Sequence, residues 1–151
     1  MTDNKHRNLR TILCPVDFSA ASERALIHAA ERHSRGTELV ILHIGSKGSI
    51  DRGVLLREHL HHFSRYSDML SSYNCSVRFA VEYGSPADAI IDYAKTHNID
   101  MIVMGSHGEN NIHRLLVGST TETVMRHAPC PVLVFKAPES AEATYVTSAA
   151  L

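Results

Sequence analysis

Two short glycine-containing segments in the C-terminal half of the sequence are suited to holding phosphate. Gly105 and Gly108 bracket a turn after an apolar run, and nine residues separate Gly108 from Gly118, which precedes Ser119 and Thr120. Glycine lets backbone N–H groups approach a ligand closely, because no Cβ intervenes. A helix that begins near Gly118 would add unpaired N–H groups and the positive end of its dipole, and two hydroxyl groups follow. This spacing predicts a site for a di- or triphosphate.

The segments match neither of the common phosphate-binding motifs. The sequence has no GxxxxGK[ST] loop, and no GxGxxG follows its first apolar run. Asp17 lies directly after that first run, where it is suited either to contact a ligand or to cap the following helix. Gly45-Ser46-Lys47-Gly48 follows the second run, and a lone GxxG is more typical of an ordinary loop.

The elements that would position these residues alternate along the chain. Five apolar runs predict strands: Thr11–Val16, Glu38–Ile44, Cys75–Tyr83, Asp100–Met104 and Pro131–Phe135. Helical patterns lie between them, with starts expected at Ser19 or Ser22, before the Leu56–Leu70 face, at Ser85-Pro86 and near Gly118–Ser119. The first helix is expected to end before Gly36, and the last near His127–Ala128. Strict alternation predicts an α/β domain with a parallel sheet and right-handed crossovers.

Length and composition indicate one globular domain over residues 1–151. The core is expected over about residues 9–136, followed by a loosely ordered tail over 137–151. With 15 basic and 16 acidic residues and a net charge of −1, the chain has no electrostatic case for nucleic acid or an anionic membrane. No apolar run approaches the roughly 20 residues that span a bilayer, and the start is not typical of a signal peptide. Three widely spaced cysteines predict reduced thiols in a cytoplasmic protein.

Several separated blocks resemble one protein family. The spacing Gly105-x2-Gly108-x9-Gly118-Ser119 fits the G-x2-G-x9-G-[S/T] pattern of the ATP-binding universal stress proteins. ILCPVDFSAASERAL, ELVILHI and the segment from EYGSPADAI to MGSHG are similar to further blocks of that family, in the same order. The resemblance covers about Leu9 to Lys136 and is weakest at the second helix.

The resemblance implies a flavodoxin-like or Rossmann-like fold, an open five-stranded parallel sheet of order 3-2-1-4-5 with helices on both faces. ATP would bind at the carboxyl edge, with Asp17 beside Gly105 and near ribose or a Mg²⁺ ion. Carried over by position, the nucleotide site comprises Pro15, Asp17, Ile44, Met104, Gly105, His107, Gly108, Gly118, Ser119 and Thr120. The family also implies a homodimer in which residues 132–135 pair across subunits, which would protect an edge strand.

One stretch departs from the family pattern. Glu109-Asn110-Asn111 follows the second glycine, where the family often has a basic residue. A carboxylate near a polyphosphate is unfavourable unless Mg²⁺ lies between them or the side chain points away, although His113 and Arg114 can restore positive charge. The sequence therefore leaves ATP, ADP and AMP open as the preferred nucleotide.

The histidines and cysteines invite other interpretations. His59 and His62 are three residues apart on one helix face, with His61 beside them, and can in principle chelate a metal. No Cys completes such a site nearby, so we expect a solvated face here. Cys14 and Cys130 are expected to pack as small apolar residues.

Three functional hypotheses follow. The first is an ATP-binding regulatory protein that acts on an unknown protein partner. It is not expected to be a turnover enzyme, because the sequence contains no evident hydrolytic machinery, and slow ATP hydrolysis is left open. The second is an adenine-nucleotide hydrolase of related fold. It is disfavoured because such enzymes usually carry an SGGxDS-like loop after the first strand, and the loop here, PVDFSAAS, contains no glycine. The third is an interaction module with a vestigial nucleotide site.

Overall fold

The computed structural model describes residues 9–32, 35–45, 52–106, 118–136 and 145–148. A six-stranded sheet of order β3-β2-β1-β4-β5-β6 forms its centre, and the strands from β1 to β5 run parallel. The elements in chain order are β1 (Thr11–Val16), α1 (Ala20–Glu31), β2 (Glu38–Gly45), α2 (Arg52–Leu70), β3 (Ser76–Tyr83), α3 (Pro86–Thr96), β4 (Met101–Gly105), α4 (Ser119–His127), β5 (Val132–Phe135) and β6 (Tyr145–Ser148). The predicted order 3-2-1-4-5 is confirmed.

The helices cover both faces of the sheet because strand side chains alternate between two cores. Leu13 of β1 packs with residues of α3 and α4, such as Ile90 and Val124. Its neighbours in β1, Ile12 and Cys14, pack on the other face against α1 and α2. Because successive residues of a strand point to opposite faces, a strand that is covered on both sides must be apolar throughout. This explains the uninterrupted runs that predicted β1 and β2.

The helix starts follow local capping chemistry. Ser19 is the N-cap of α1, and its hydroxyl accepts a hydrogen bond from the Ser22 N–H at 3.2 Å. Pro86 opens α3 after Ser85, as predicted. The first helix ends at Glu31 and so does not continue to the residue before Gly36, since the Arg32 N–H already closes its last turn on the Ala29 and His28 carbonyls.

The expectation of a loosely ordered tail is wrong for Tyr145–Ser148. These residues form β6, which pairs antiparallel with β5 and matches all four of its positions, from Val132↔Ser148 to Phe135↔Tyr145. The other tail residues, 137–144 and 149–151, lie outside the described residues. No helix in the described ranges is long and apolar enough to cross a membrane.

The two cores predict a strong contrast between two leucines. Leu26 of α1 is 0% exposed and Leu60 of α2 is 56% exposed. We expect Leu26→Ala to lower the free energy of unfolding by about 2–5 kcal/mol, through lost burial and an unfilled cavity. The matched change Leu60→Ala should stay within about 0.5 kcal/mol of the parent. Urea titration of both variants measures the difference, and equal losses would contradict this packing.

Candidate functional site

The winding of the strands reverses at β1, in the middle of the sheet. From β1 the chain winds outward to β2 and β3, and then returns to place β4 on the other side of β1. The β1–β2 ladder runs to Val16, whereas the β1–β4 ladder pairs Ile12 with Met101 and Leu13 with Ile102. Pro15 lies two residues beyond the last β1–β4 pair, and proline has no N–H with which to extend that ladder. A crevice at such a reversal point is where open α/β sheets bind ligands.

The two glycine segments meet at the carboxyl edge of the sheet. The Gly118 N–H donates a hydrogen bond to the Ser106 carbonyl at 2.7 Å, and the Thr121 hydroxyl donates to the Gly105 carbonyl at 2.9 Å. The Ser106 N–H in turn donates to the Phe135 carbonyl at 2.8 Å. The start of α4 is therefore attached to the end of β4.

Gly105 has a packing reason to be glycine. A Cβ at this position would lie 3.0 Å from both the Cβ and the carbonyl carbon of Ala21, and 3.1 Å from its carbonyl oxygen. Real Cβ atoms rarely approach backbone so closely, so a side chain here would force the end of β4 and α1 apart by a few tenths of an ångström. The missing side chain therefore relieves a clash with α1 and allows this close approach of strand and helix.

The N-terminus of α4 is the most favourable place for an anion. Gly118 is the N-cap, with an extended backbone, and Ser119, the first helical residue, is exposed, while Thr120 is half-buried. The first N–H groups of any α-helix have no partner within the helix, and the helix dipole adds positive potential there. Glu122, the acidic residue of this first turn, forms an ion pair with Arg126 at 2.7 Å. The arginine offsets the negative charge of Glu122 near the helix start.

Asp17 is exposed at the end of β1, beside the strand that ends in Gly105. Its Oδ1 accepts a hydrogen bond from the Ser19 N–H at 3.1 Å, so it does stabilise the entry to α1. A carboxylate offers about four lone-pair positions, and one such bond leaves capacity for a ligand. The hydrogen bond to the N-cap residue Ser19 and a ligand role are therefore compatible.

The remaining predicted site residues that the structure describes lie within the strands. Pro15 is buried within β1, and Met104 is 5% exposed and packs in the core against α3 and α4. A contact of Met104 with a ligand would therefore have to involve its backbone, and its place in the site stays a prediction. Ile44 is half-buried near the end of β2. His107 and Gly108 lie outside the described residues.

An aromatic cluster that the sequence analysis missed adjoins Asp17. The ring of Phe18 stacks on His62 with centroids 4.1 Å apart and on His59 at 5.1 Å, and lies 4.5 Å from His43. The prediction of a solvated face is therefore wrong for His59 and His62, which are half-buried, although His61 is exposed. An aromatic residue directly after a strand end was the available signal.

Phe18 holds this position in a strained conformation. Its φ of +64° lies in the left-handed region, which a bulky residue rarely adopts. The His43 ring nitrogen Nδ1 lies 3.0 Å from the Val16 carbonyl oxygen and donates to it, which orients that ring against Phe18. The stacked rings thus compensate for the backbone strain and fix the turn that carries Asp17.

The two buried cysteines are not nucleophilic thiols, and the described residues contain no preformed metal cluster. Cys14 and Cys130 are buried in the two cores, as predicted. Burial raises the pKa of the Cys14 thiol far above its usual range, and burial, with a smaller contribution from Asp100, raises the pKa of Cys130 to about 11. Both thiols are protonated at neutral pH. In the described ranges no group of three or more His, Cys, Asp or Glu side chains is arranged to hold a metal.

Comparison with known proteins adds an independent line of evidence. The model of the universal stress protein family matches residues 8–136. The universal stress protein MJ0577 of Methanocaldococcus jannaschii is 28% identical over an alignment that covers 84% of this chain and 94% of that protein. Its solved structure matches with a TM-score of 0.78 at 29% identity, over 88% of this chain and 99% of that one.

Two further solved structures share the fold. The universal stress protein UspA from Lactobacillus plantarum has a TM-score of 0.71 at 33% identity and covers 84% of this chain and 97% of its own. A universal stress protein family protein from Arabidopsis thaliana, solved with AMP bound, has a TM-score of 0.64 at 19% identity, over 85% and 92% of the two chains.

The contact between Gly105 and Ala21 predicts that a single methyl group is destabilising here. We expect Gly105→Ala to lower the free energy of unfolding, without nucleotide, by about 1–3 kcal/mol through overpacking. Ala21→Gly in the same chain should recover part of that loss, since it removes one of the crowded atoms. A double-mutant cycle in urea measures the coupling, and additive effects would show that the two residues are not in contact.

The strain at Phe18 predicts an unusual order of stability. Glycine tolerates a positive φ, whereas alanine there costs about 1–2 kcal/mol. We therefore expect Phe18→Gly to be at least as stable as Phe18→Ala in urea titration. At Arg24, an exposed residue of α1, the glycine variant should instead be less stable than the alanine variant by about 1 kcal/mol. The same order at both positions would exclude a left-handed Phe18.

Proposed function

The chain belongs to the universal stress protein family, and on that premise we propose that it is a nucleotide-binding regulatory protein. The nucleotide is an adenine nucleotide, ATP, ADP or AMP, bound at the carboxyl edge of the sheet. The observation that carries the proposal is the attachment of α4 to β4 through Gly118, Ser106, Thr121 and Gly105. It brings a helix N-terminus and a glycine strand end to the crevice beside Asp17.

Phosphate is recognised by the start of α4. The N–H groups and hydroxyls of Ser119 and Thr120 are donors, and the helix dipole favours the negative charge. This recognition is local, which agrees with a chain whose net charge is only −1. A site that works with fixed dipoles needs no basic surface around it.

Adenosine and a magnesium ion are assigned to the other side of the crevice. The backbones of Pro15 and Ile44 flank the base, and Asp17 lies at the ribose. When Mg²⁺ accompanies ATP it neutralises phosphate charge, and the exposed Asp17 carboxylate is the kind of hard oxygen ligand that this ion prefers. The Arabidopsis relative bound to AMP supports an adenine nucleotide in this fold.

The proposed role is binding without rapid turnover. Nothing in the described residues combines a positioned base, a lysine and an arginine around a phosphate, which is the arrangement that catalyses phosphoryl transfer. Occupancy would instead bias contacts with a partner protein or with a second copy of the chain. We retain the proposed homodimer through Val132–Phe135. Pairing there requires that β6 first leave β5, because both edges of β5 are paired within the chain.

The proposal is tested by thermal unfolding with ATP, ADP and AMP, each with and without Mg²⁺. A ligand at about 100 times its Kd stabilises the native state by about 2.7 kcal/mol, or about 5–10 °C in Tm for a chain of this size. No shift with any of the three nucleotides at millimolar concentration would refute the proposal. Phosphate release at several turnovers per minute would contradict the absence of turnover.

A charge placed at the start of α4 separates binding from folding. Ser119→Asp should leave the Tm of the free protein unchanged or slightly raised, because an acidic residue is favourable in the first turn. It should weaken nucleotide binding about 100-fold or more, since two like charges about 4 Å apart repel by about 4 kcal/mol. Ser67→Asp is the matched control, because Ser67 is exposed in α2 near its end and away from the carboxyl edge. An equal loss of binding in both variants would place the phosphate elsewhere.

A further inference from the structure

The outer edge of β5 is covered by a strand that the family core does not include. The family match ends at residue 136, directly after β5, while β6 lies beyond it at Tyr145–Ser148. β6 also differs from the other strands because it runs antiparallel in an otherwise parallel sheet. It is therefore an addition to the core and not a further βαβ unit.

β5 is a strand that would tend to pair with another strand if its outer edge were unpaired. Its sequence, VLVF, is apolar and rich in branched and aromatic residues, and it carries no charge. Val132, Val134 and Phe135 are at most 1% exposed. A short strand of this type, with unpaired N–H and C=O groups along one side, is a template for another strand. β6 covers it over its whole length.

From this arrangement we propose that β6 is an intramolecular cap that competes with a second copy of the chain for the edge of β5. When β6 is paired, the edge is closed and the chain stays monomeric. When β6 leaves, the backbone of residues 132–135 is open to the same strand of a second chain. This inference rests on the homodimer proposed above and is independent of nucleotide binding.

The competition has a calculable size. A strand on the same chain acts at an effective concentration on the order of millimolar, well above typical concentrations of a free partner. If the cap is closed nine-tenths of the time, about one chain in ten is competent to pair. Because a dimer needs two open edges, its apparent Kd is then raised about 100-fold.

Removing the cap tests the inference directly. We expect a chain ending at residue 136 to self-associate about 100-fold more tightly than the full chain in sedimentation equilibrium, and at least tenfold. A truncated chain that stays as monomeric as the full chain would refute both the cap and the homodimer. Equal and tight dimerisation of the two chains would refute the cap alone.

Single proline substitutions at two neighbouring positions of β6 give a matched pair of variants that retain the whole tail. Along an antiparallel edge pair, successive N–H groups point alternately toward the neighbour and away from it. Of Val146→Pro and Thr147→Pro, one removes a hydrogen bond to β5 and the other replaces an outward N–H, which an edge strand tolerates. One variant should therefore dimerise like the truncated chain and the other like the full chain. Identical behaviour of the two would overturn strand pairing by β6.

Hydrogen exchange separates the cap from the dimer. In the full chain at monomeric concentration, amides of residues 145–148 that face β5 should exchange at least tenfold more slowly than they do in an unfolded peptide of the same sequence. Protection that persists on dilution supports a cap made by the chain itself. Protection that disappears on dilution, together with the dimer, would show that β6 is exchanged between two copies and would overturn the proposal.

Discussion

The close passage of β4 beneath α1 is the constraint on which the rest of the site depends. Gly105 ends the strand against Ala21 without crowding because it has no side chain, and its carbonyl accepts a hydrogen bond from the Thr121 hydroxyl. The Gly118 N–H reaches the next carbonyl, that of Ser106. Two hydrogen bonds and one missing methyl group thus set where α4 begins. An anion site at that helix end is a consequence of sheet packing.

The turn after β1 is held by a different kind of interaction. Phe18 adopts a left-handed backbone that is unfavourable for its type, and the rings of His43, His59 and His62 pack against it. The two turns that flank the crevice are therefore stabilised independently, one by backbone hydrogen bonds and the other by ring stacking. Independent supports of this kind preorganise a binding site, because neither turn has to be ordered by the ligand.

The two ends of the sheet are managed in different ways. At one end β3 carries two exposed charged residues, Arg78 and Glu82, and Arg78 forms an ion pair with Glu38 at 3.1 Å, so that edge strand is charged. At the other end β5 is apolar, and its edge is covered by β6. Polar residues discourage strand pairing without needing a partner, whereas an apolar edge requires one. This difference is why the tail matters to the association state of the protein.

The sequence by itself determined the alternation of strands and helices, the parallel direction of the strands and the pair of glycine segments, because these depend on local periodicity, capping residues and short spacings. It did not determine that the ring of Phe18 would pack against three histidines, or that Tyr145–Ser148 would pair with β5. Each of these outcomes depends on a contact between residues distant in the chain. Four residues in a tail of small side chains have only a weak local preference for a strand. They form one because an unpaired apolar edge is available, and only the tertiary structure supplies that edge.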